Sequence, residues 1–328
     1  MMPRPRVFVT QPIALGALER LRAIATVKIN TDSSKIIAKP KLTAAVRKCD
    51  ILFSLLHDKI DRAVLAANPK LRAVTSMSIT PDNIDVKEAT KRGIVVTVVP
   101  PIVAESVADL HLGLMIAVAR RMVEGDRSVR ASRFPGSQSS HLVGSFVHGK
   151  TIGLVAVGRI GQATARRARG FGMRVIYWGP RRKPEAEREL QMEYMPLNQL
   201  LAEADFVSLH PPLNSETRHM ISDREFALMK PSAFIINTAR GAVIDEKALV
   251  RALKAKKIAG AGLDVFENEP KVSSALLKMK NVVLTPHLGS AVMEVREQMA
   301  NIVVDNIQAL IDGRAPPNCV NPQVLKPS

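Results

Sequence analysis

The sequence predicts an α/β protein in which parallel sheets are covered by helices, arranged as two units. Three features carry that expectation. From Arg6 to Val98 short apolar runs alternate with amphipathic stretches, and the alternation resumes after a polar excursion between Arg127 and Gly149. At 328 residues and 46% hydrophobic content, the chain is long and apolar enough for two separate cores.

In order along the first unit, Val7–Thr10, Ile51–Phe53, Leu71–Thr75 and Ile94–Val98 read as strands. Ala14–Ile24, Leu42–Arg47, Val64–Ala67 and Val86–Arg92 read as the helices between them. Val99-Pro100-Pro101 halts regular structure, and one long helix is expected from about Ala104 to Val123. The segment Ser132-Arg-Phe-Pro-Gly-Ser-Gln-Ser-Ser140 has no period and suits an arm reaching a second subunit.

The second unit is organised around Lys150–Tyr177. Thr151–Val157 reads as a buried strand, and Gly158 and Gly161 open a helical stretch to Gly170. A helix N-terminus offers unpaired N–H groups and the positive end of its dipole, so this strand, turn and helix form a cradle for a dinucleotide. The fingerprint normally has three glycines, and Ala156 replaces the first, with some strain expected in the turn. Further strands follow at 175–177, 206–209, 234–236, 259–263 and 282–284, six in this unit with the first. Helices are expected at 196–204, 246–255 and about 292–311.

Composition narrows the function. No stretch reaches the roughly 18 apolar residues of a membrane span, and no apolar leader follows the N-terminus, so a cytoplasmic protein with no membrane partner is expected. Cys49 and Cys319 are the only cysteines, too few for a disulfide framework or a thiolate metal site, and no metal is expected. The net charge of +17 favours acidic small molecules. Its spread along the chain, with only 4% aromatic residues, argues against nucleic acid as the partner.

Four motifs carry a resemblance: Leu209-His-Pro-Pro-Leu213 with Glu216-Thr-Arg-His219, Ile236-Asn-Thr-Ala-Arg-Gly241, Gly262-Leu-Asp-Val-Phe-Glu-Asn-Glu-Pro270 and Thr285-Pro-His-Leu-Gly-Ser290. With Asp82-Asn-Ile-Asp85 and Asn318-Cys-Val-Asn-Pro322 they span nearly the whole chain. In them the chain resembles the D-isomer-specific 2-hydroxyacid dehydrogenases, and within that family the glyoxylate/hydroxypyruvate reductases. The resemblance implies a Rossmann-type cofactor domain inserted into a smaller, flavodoxin-like α/β substrate domain. The expected parts are residues 1–99 for the first piece of the substrate domain, 100–288 for the cofactor domain, and 289–328 for a C-terminal helix and tail packing back on the substrate domain. A homodimer is implied as well.

Reducing a 2-oxo acid needs a hydride donor, a cation for the carboxylate and ketone, and an acid for the forming alkoxide. Arg240, Glu269 and His287 lie just past expected strands, where ligands bind in open α/β sheets. Arg240 is assigned to substrate binding and polarisation, Glu269 to orienting His287 and favouring its protonated form, and His287 to proton transfer. Taken singly, each would more often be a solvated loop residue; their coincidence points to catalysis. For the substrate carboxylate the resemblance points to the peptide N–H groups of Ile79 and Thr80, where Thr80 replaces an expected glycine. Pro101 and Ala104 also depart from the family's usual glycine and threonine.

The cofactor contacts implied are Gly158, Arg159, Ile160, Gly161, Gly179, Arg181, Arg182, His210, Pro211, Thr217, Thr238, Ala239, Asp264 and Gly289. Asp264 equally fits a carboxylate that caps its own loop. An acid at the end of the second strand would select NADH; here Arg174–Trp178 runs into Gly179-Pro180-Arg181-Arg182-Lys183, with no acid until Glu185. NADPH is therefore the expected cofactor and NADH the possible second. Phosphoglycerate and phosphite dehydrogenases are alternatives within the fold, and a nucleotide-sensing corepressor-like protein is the alternative of another class.

Overall fold

The computed structural model describes residues 4–325. The chain divides into two compact units, one running up to Ile102 and taken up again from Val292, the other Val103–Ala291.

In the first unit five strands, β1 (Arg6–Val9), β2 (Thr26–Ile29), β3 (Ile51–Ser54), β4 (Ala73–Ser76) and β5 (Val95–Thr97), form one parallel sheet in the order β2-β1-β3-β4-β5. That order is the flavodoxin-like one. Helices α1 (Leu15–Ile24), α2 (Lys39–Val46), α3 (Arg62–Leu65) and α4 (Val86–Lys91) connect the strands. Asp61 and Asp85 cap α3 and α4 by accepting from first-turn N–H groups, which fixes where those helices start. The C-terminal helix, Met293–Ile311, packs on α1 and β4 of this unit. Beyond it Val320 N donates to Val96 O at 2.9 Å, and Asn321 accepts from Val96 N and donates to Ile94 O, so the tail closes the β5 edge.

The second unit carries seven parallel strands: β6 (Thr151–Val155), β7 (Arg174–Trp178), β8 (Met192–Tyr194), β9 (Phe206–Leu209), β10 (Phe234–Asn237), β11 (Gly260–Leu263) and β12 (Val282–Leu284). Their order is β12-β11-β10-β9-β6-β7-β8. This is the doubly wound nucleotide-binding arrangement with one strand added, and its order reverses between β6 and β9. Helices α5 (Ala104–Ala119), α6 (Met122–Arg130), α7 (Arg159–Gly170), α8 (Pro184–Leu190), α9 (Leu197–Glu203), α10 (Asp223–Leu228), α11 (Glu246–Lys254) and α12 (Ser274–Lys278) accompany the sheet. One apolar cluster joins Val155, Leu209, Ile235 and Leu263 to Phe226 and Leu249, and another joins Ile152, Leu154, Val175 and Ile236 to Leu112 and Met115.

Several boundaries differ from the sequence expectations. The edge strands β2 and β8 were not expected, since four and three residues with exposed alternate positions give little periodic signal. The long helix stops at Ala119 rather than Val123. Ser145 N takes the Ala119 carbonyl at 2.9 Å, Gly144 lies so close that a Cβ would fall 2.4 Å from that oxygen, and Arg121 turns left-handed at φ 52°. The polar excursion begins as helix α6 and has no regular structure from there to β6. No helix among the described residues is long and apolar enough to cross a membrane.

Candidate active site

The glycine turn follows β6 directly. Ala156 has φ +67°, the left-handed conformation in which glycine is usual, so the expected strain is present at a cost of about 1 kcal/mol. A Cβ at Gly161 would lie 2.9 Å from the Ala156 carbonyl oxygen, so this glycine lets α7 approach the turn. At Gly158 a Cβ would meet open space, and no side chain caps α7. The first turn, with Arg159 and Ile160, therefore presents N–H groups and the positive helix end to a phosphate. These residues fit a dinucleotide.

At the end of β7 the basic turn is less open than its sequence suggests. Arg182 makes a two-pronged pair with Glu187, 2.7 and 3.1 Å long, and its guanidinium lies 5.6 Å from the Tyr194 ring centre. Glu187 also accepts from the Tyr177 hydroxyl at 2.6 Å, and Arg182 together with this bond holds its carboxyl at about 2. Glu187 lies on α8, which returns it to the end of β7. Arg181 is exposed and makes no ion pair with a described residue. Gly179 is buried, with its carbonyl 3.4 Å from the Tyr194 hydroxyl.

At the reversal point, His210 follows β9 and Thr238 follows β10, one step beyond the paired Leu209 and Asn237. His210 Cδ2 lies 3.5 Å from where a Cβ on Gly161 would be, which places the ring beside the glycine turn. Its Nε2 meets Ser208 Oγ at 2.8 Å, and Ser208 Oγ meets His111 Nε2 at 2.6 Å. Burial lowers His210 to about 3 and His111 well below the ordinary imidazole range. Both rings are neutral at physiological pH. Pro211 is buried, while Thr217 spends its hydroxyl on its own loop, donating to Pro212 O at 2.6 Å.

Two loops bring Glu269 and His287 together, and the turn that carries Arg240 lies against the Glu269 loop through Gly241. Asn237 accepts from Ala239 N and donates to Arg240 O, shaping the turn after β10, and Arg240 Nη1 donates to Ala239 O at 2.8 Å. A Cβ at Gly241 would sit 1.9 Å from the Phe266 carbonyl carbon, so only glycine lets this turn lie against Phe266–Glu267. Glu269 accepts from Phe266 N through Oε1 at 2.9 Å and faces His287 Nδ1 through Oε2 at 2.9 Å.

His287 itself adopts φ +56° and is held by Asp264. The Asp264 carbonyl accepts His287 N at 2.9 Å, and its carboxylate accepts Leu288 N at 2.7 Å, Gly289 N at 2.9 Å and the Thr285 hydroxyl at 2.6 Å. Asp264 is 1% exposed, and burial raises its pKa despite those bonds. It is thus the anchor of the His287 loop. Gly289 packs 3.0 Å (measured to an ideal Cβ) from Val107, and its carbonyl accepts Ser106 Oγ.

In the smaller unit Ile79 and Thr80 lie in the loop after β4. Thr80 avoids positive φ, its hydroxyl donates to Asp82 at 2.8 Å, and its carbonyl accepts Ser78 Oγ at 2.6 Å. The sequence reading missed His111, Ser208, Asn237 and Glu187. Asn237 had a usable signal, a short polar side chain closing an apolar strand; His111 showed only as a polar interruption in an apolar helix.

Residues 112–289 match the D-isomer specific 2-hydroxyacid dehydrogenase, NAD binding domain. A glyoxylate reductase of Thermococcus litoralis is 47% identical over 329 residues, covering 99% of both chains. The structure of an NADPH-dependent glyoxylate/hydroxypyruvate reductase from Sinorhizobium meliloti, in complex with NADP and malonate, superposes with a TM-score of 0.84 at 32% identity and covers 99% of both chains. That of a D-lactate dehydrogenase from Aquifex aeolicus, complexed with NAD and lactic acid, gives 0.83 at 30%, covering 98% of this chain and 100% of the other. With identity of this extent and a nucleotide cradle in the matched region, the chain belongs to the D-isomer specific 2-hydroxyacid dehydrogenase family and is an NAD(P)-dependent oxidoreductase.

Proposed function

We propose that the protein reduces a small 2-oxo acid of the glyoxylate or hydroxypyruvate kind to the D-2-hydroxy acid, with NADPH as the preferred reductant. The observation that carries the chemistry is the 2.9 Å contact between His287 Nδ1 and Glu269 Oε2. Glu269 fixes the ring through Nδ1, and His287 delivers a proton to the oxygen that gains charge. The bound dinucleotide supplies the hydride. Arg240 holds the substrate carboxylate and polarises its ketone, as a guanidinium does best, and the peptide N–H groups of Ile79 and Thr80 are further donors for a carboxylate. Gly158, Arg159, Ile160 and Gly161 take the diphosphate, while Gly179, His210, Pro211, Thr217, Thr238, Ala239, Asp264 and Gly289 line the cofactor's course. Arg181, with Arg182 in support, takes the 2′-phosphate.

The reading as an oxo-acid reductase is supported by the names of the archaeal and bacterial relatives. A homodimer is part of the same proposal, because Val129, Phe134, Val143 and Phe146 are 60–77% exposed along the segment after α5 and suit a second copy of the chain. The test is a panel of glyoxylate, hydroxypyruvate, pyruvate and 3-phosphohydroxypyruvate with each reduced cofactor, and chiral analysis of the glycerate formed. Turnover of the first two with D-glycerate as product is expected. Turnover confined to the phosphorylated acid, or L-glycerate, would refute it.

A further inference from the structure

Thr238, His111, Ser208 and His210 form an unbroken chain of polar contacts within the cofactor-binding unit. Thr238 Oγ1 lies 2.9 Å from His111 Nδ1, His111 Nε2 lies 2.6 Å from Ser208 Oγ, and Ser208 Oγ lies 2.8 Å from His210 Nε2. His111 and Ser208 are 0% exposed and Thr238 is 8% exposed, so their groups must satisfy one another. The two rings lie 4.8 Å apart, centre to centre, at 37°. The chain starts and ends at the first residues past β10 and β9, on the carboxyl side of the sheet where its order reverses.

We propose that His111 and Ser208 are positioning residues that couple the Thr238 hydroxyl to the His210 ring, so that the two strand ends always meet the cofactor with opposite hydrogen-bonding polarity. This rests on the cofactor reading above. The reason is proton counting. A neutral imidazole has one N–H and one bare nitrogen, and a hydroxyl donates once. If Ser208 donates to His111 Nε2, then His111 donates from Nδ1 to Thr238, His210 donates from Nε2 to Ser208, and the Thr238 hydroxyl hydrogen is left for a ligand while His210 Nδ1 is a bare acceptor. If Ser208 donates to His210 instead, every bond reverses: Thr238 becomes the acceptor and His210 Nδ1–H the donor. Any arrangement with the same tautomer in both rings wastes a buried bond at Ser208, which is costly in a dry interior. Among the described residues no group bonds His210 Nδ1. Burial disfavours charge on both rings, and the nearby His210 ring adds to that effect at His111.

Two measurements test this on the full-length protein. Nitrogen-15 NMR of histidine-labelled wild type without cofactor should show these two rings neutral and in opposite tautomers, one protonated at Nδ1 and the other at Nε2. The same tautomer in both, or an imidazolium in either at neutral pH, would overturn the coupling. Titration with NADPH and NADH, followed by nicotinamide fluorescence, should show His111→Phe and Ser208→Ala each raising Kd about tenfold, with the double variant no worse than the worse single one. Affinities within about twofold of wild type in either folded variant would overturn the positioning role. Ser208→Ala removes a single oxygen and reads the same effect should His111→Phe fail to fold. A wild type that binds neither nucleotide would instead refute the cofactor reading, and the NMR result would still decide the coupling.

Discussion

The Nδ1 atom of His287 lies 2.9 Å from Oε2 of Glu269, and the same glutamate uses its other oxygen to accept from the Phe266 peptide at 2.9 Å. The carboxylate is therefore held by its own loop through one oxygen while the other meets the histidine. His287→Ala removes the proposed proton donor and leaves the glycine turn untouched. A fall in kcat of about 10²–10⁴ with NADPH affinity near wild type is expected. Near-normal kcat would show that another group delivers the proton.

Asp264 holds the loop on which His287 is mounted. Asp264→Asn keeps the shape but can offer one carbonyl oxygen where two carboxylate oxygens now accept from Leu288 N, Gly289 N and Thr285. At least one of these donors loses its partner, at about 1–3 kcal/mol each. Unfolding in denaturant should show that loss together with a fall in kcat. A variant as stable and as active as wild type would show that the loop holds without the anchor.

The buried histidines make a prediction about pH. In the fold both remain neutral, His210 down to about 3, whereas in the unfolded chain they take up protons near the ordinary value of about 6.5. Between those limits the unfolded state binds more protons, so stability falls as pH drops from 6.5, by up to about 1.4 kcal/mol per pH unit for each ring. Denaturation midpoints through this range should fall more steeply for wild type than for His111→Phe. Equal slopes would show that His111 takes no part.

How much of this could be read beforehand depended on whether the information was local. Strand, turn and helix at Lys150–Tyr177 were legible because one short stretch specifies them, and the strain at Ala156 followed from the missing glycine alone. The Arg240, Glu269 and His287 loops were legible through their motifs. What stayed hidden depends on distant chain segments. The end of α5 at Ala119 is set by Ser145 from beyond α6, and the pairing of Arg182 depends on α8 returning Glu187. His111 joins Ser208 across 97 residues of sequence. No window of residues contains such a contact.

The Arg182–Glu187 pair engages one of the two arginines after β7, and Arg181 is exposed. Arg181→Ala should raise KM for NADPH about tenfold or more and change NADH little, while Arg182→Ala should act more weakly because that guanidinium is already engaged. A larger NADPH effect from Arg182→Ala than from Arg181→Ala would reverse the assignment.

Whether the protein is an oxo-acid reductase that prefers NADPH is decided by kcat/KM of the wild-type protein for NADPH and for NADH at saturating glyoxylate. Steady turnover is expected, with the value for NADPH higher by about tenfold, as one charge-assisted contact to the 2′-phosphate would give. No turnover with either cofactor, or a value for NADH equal to or above that for NADPH, would contradict it.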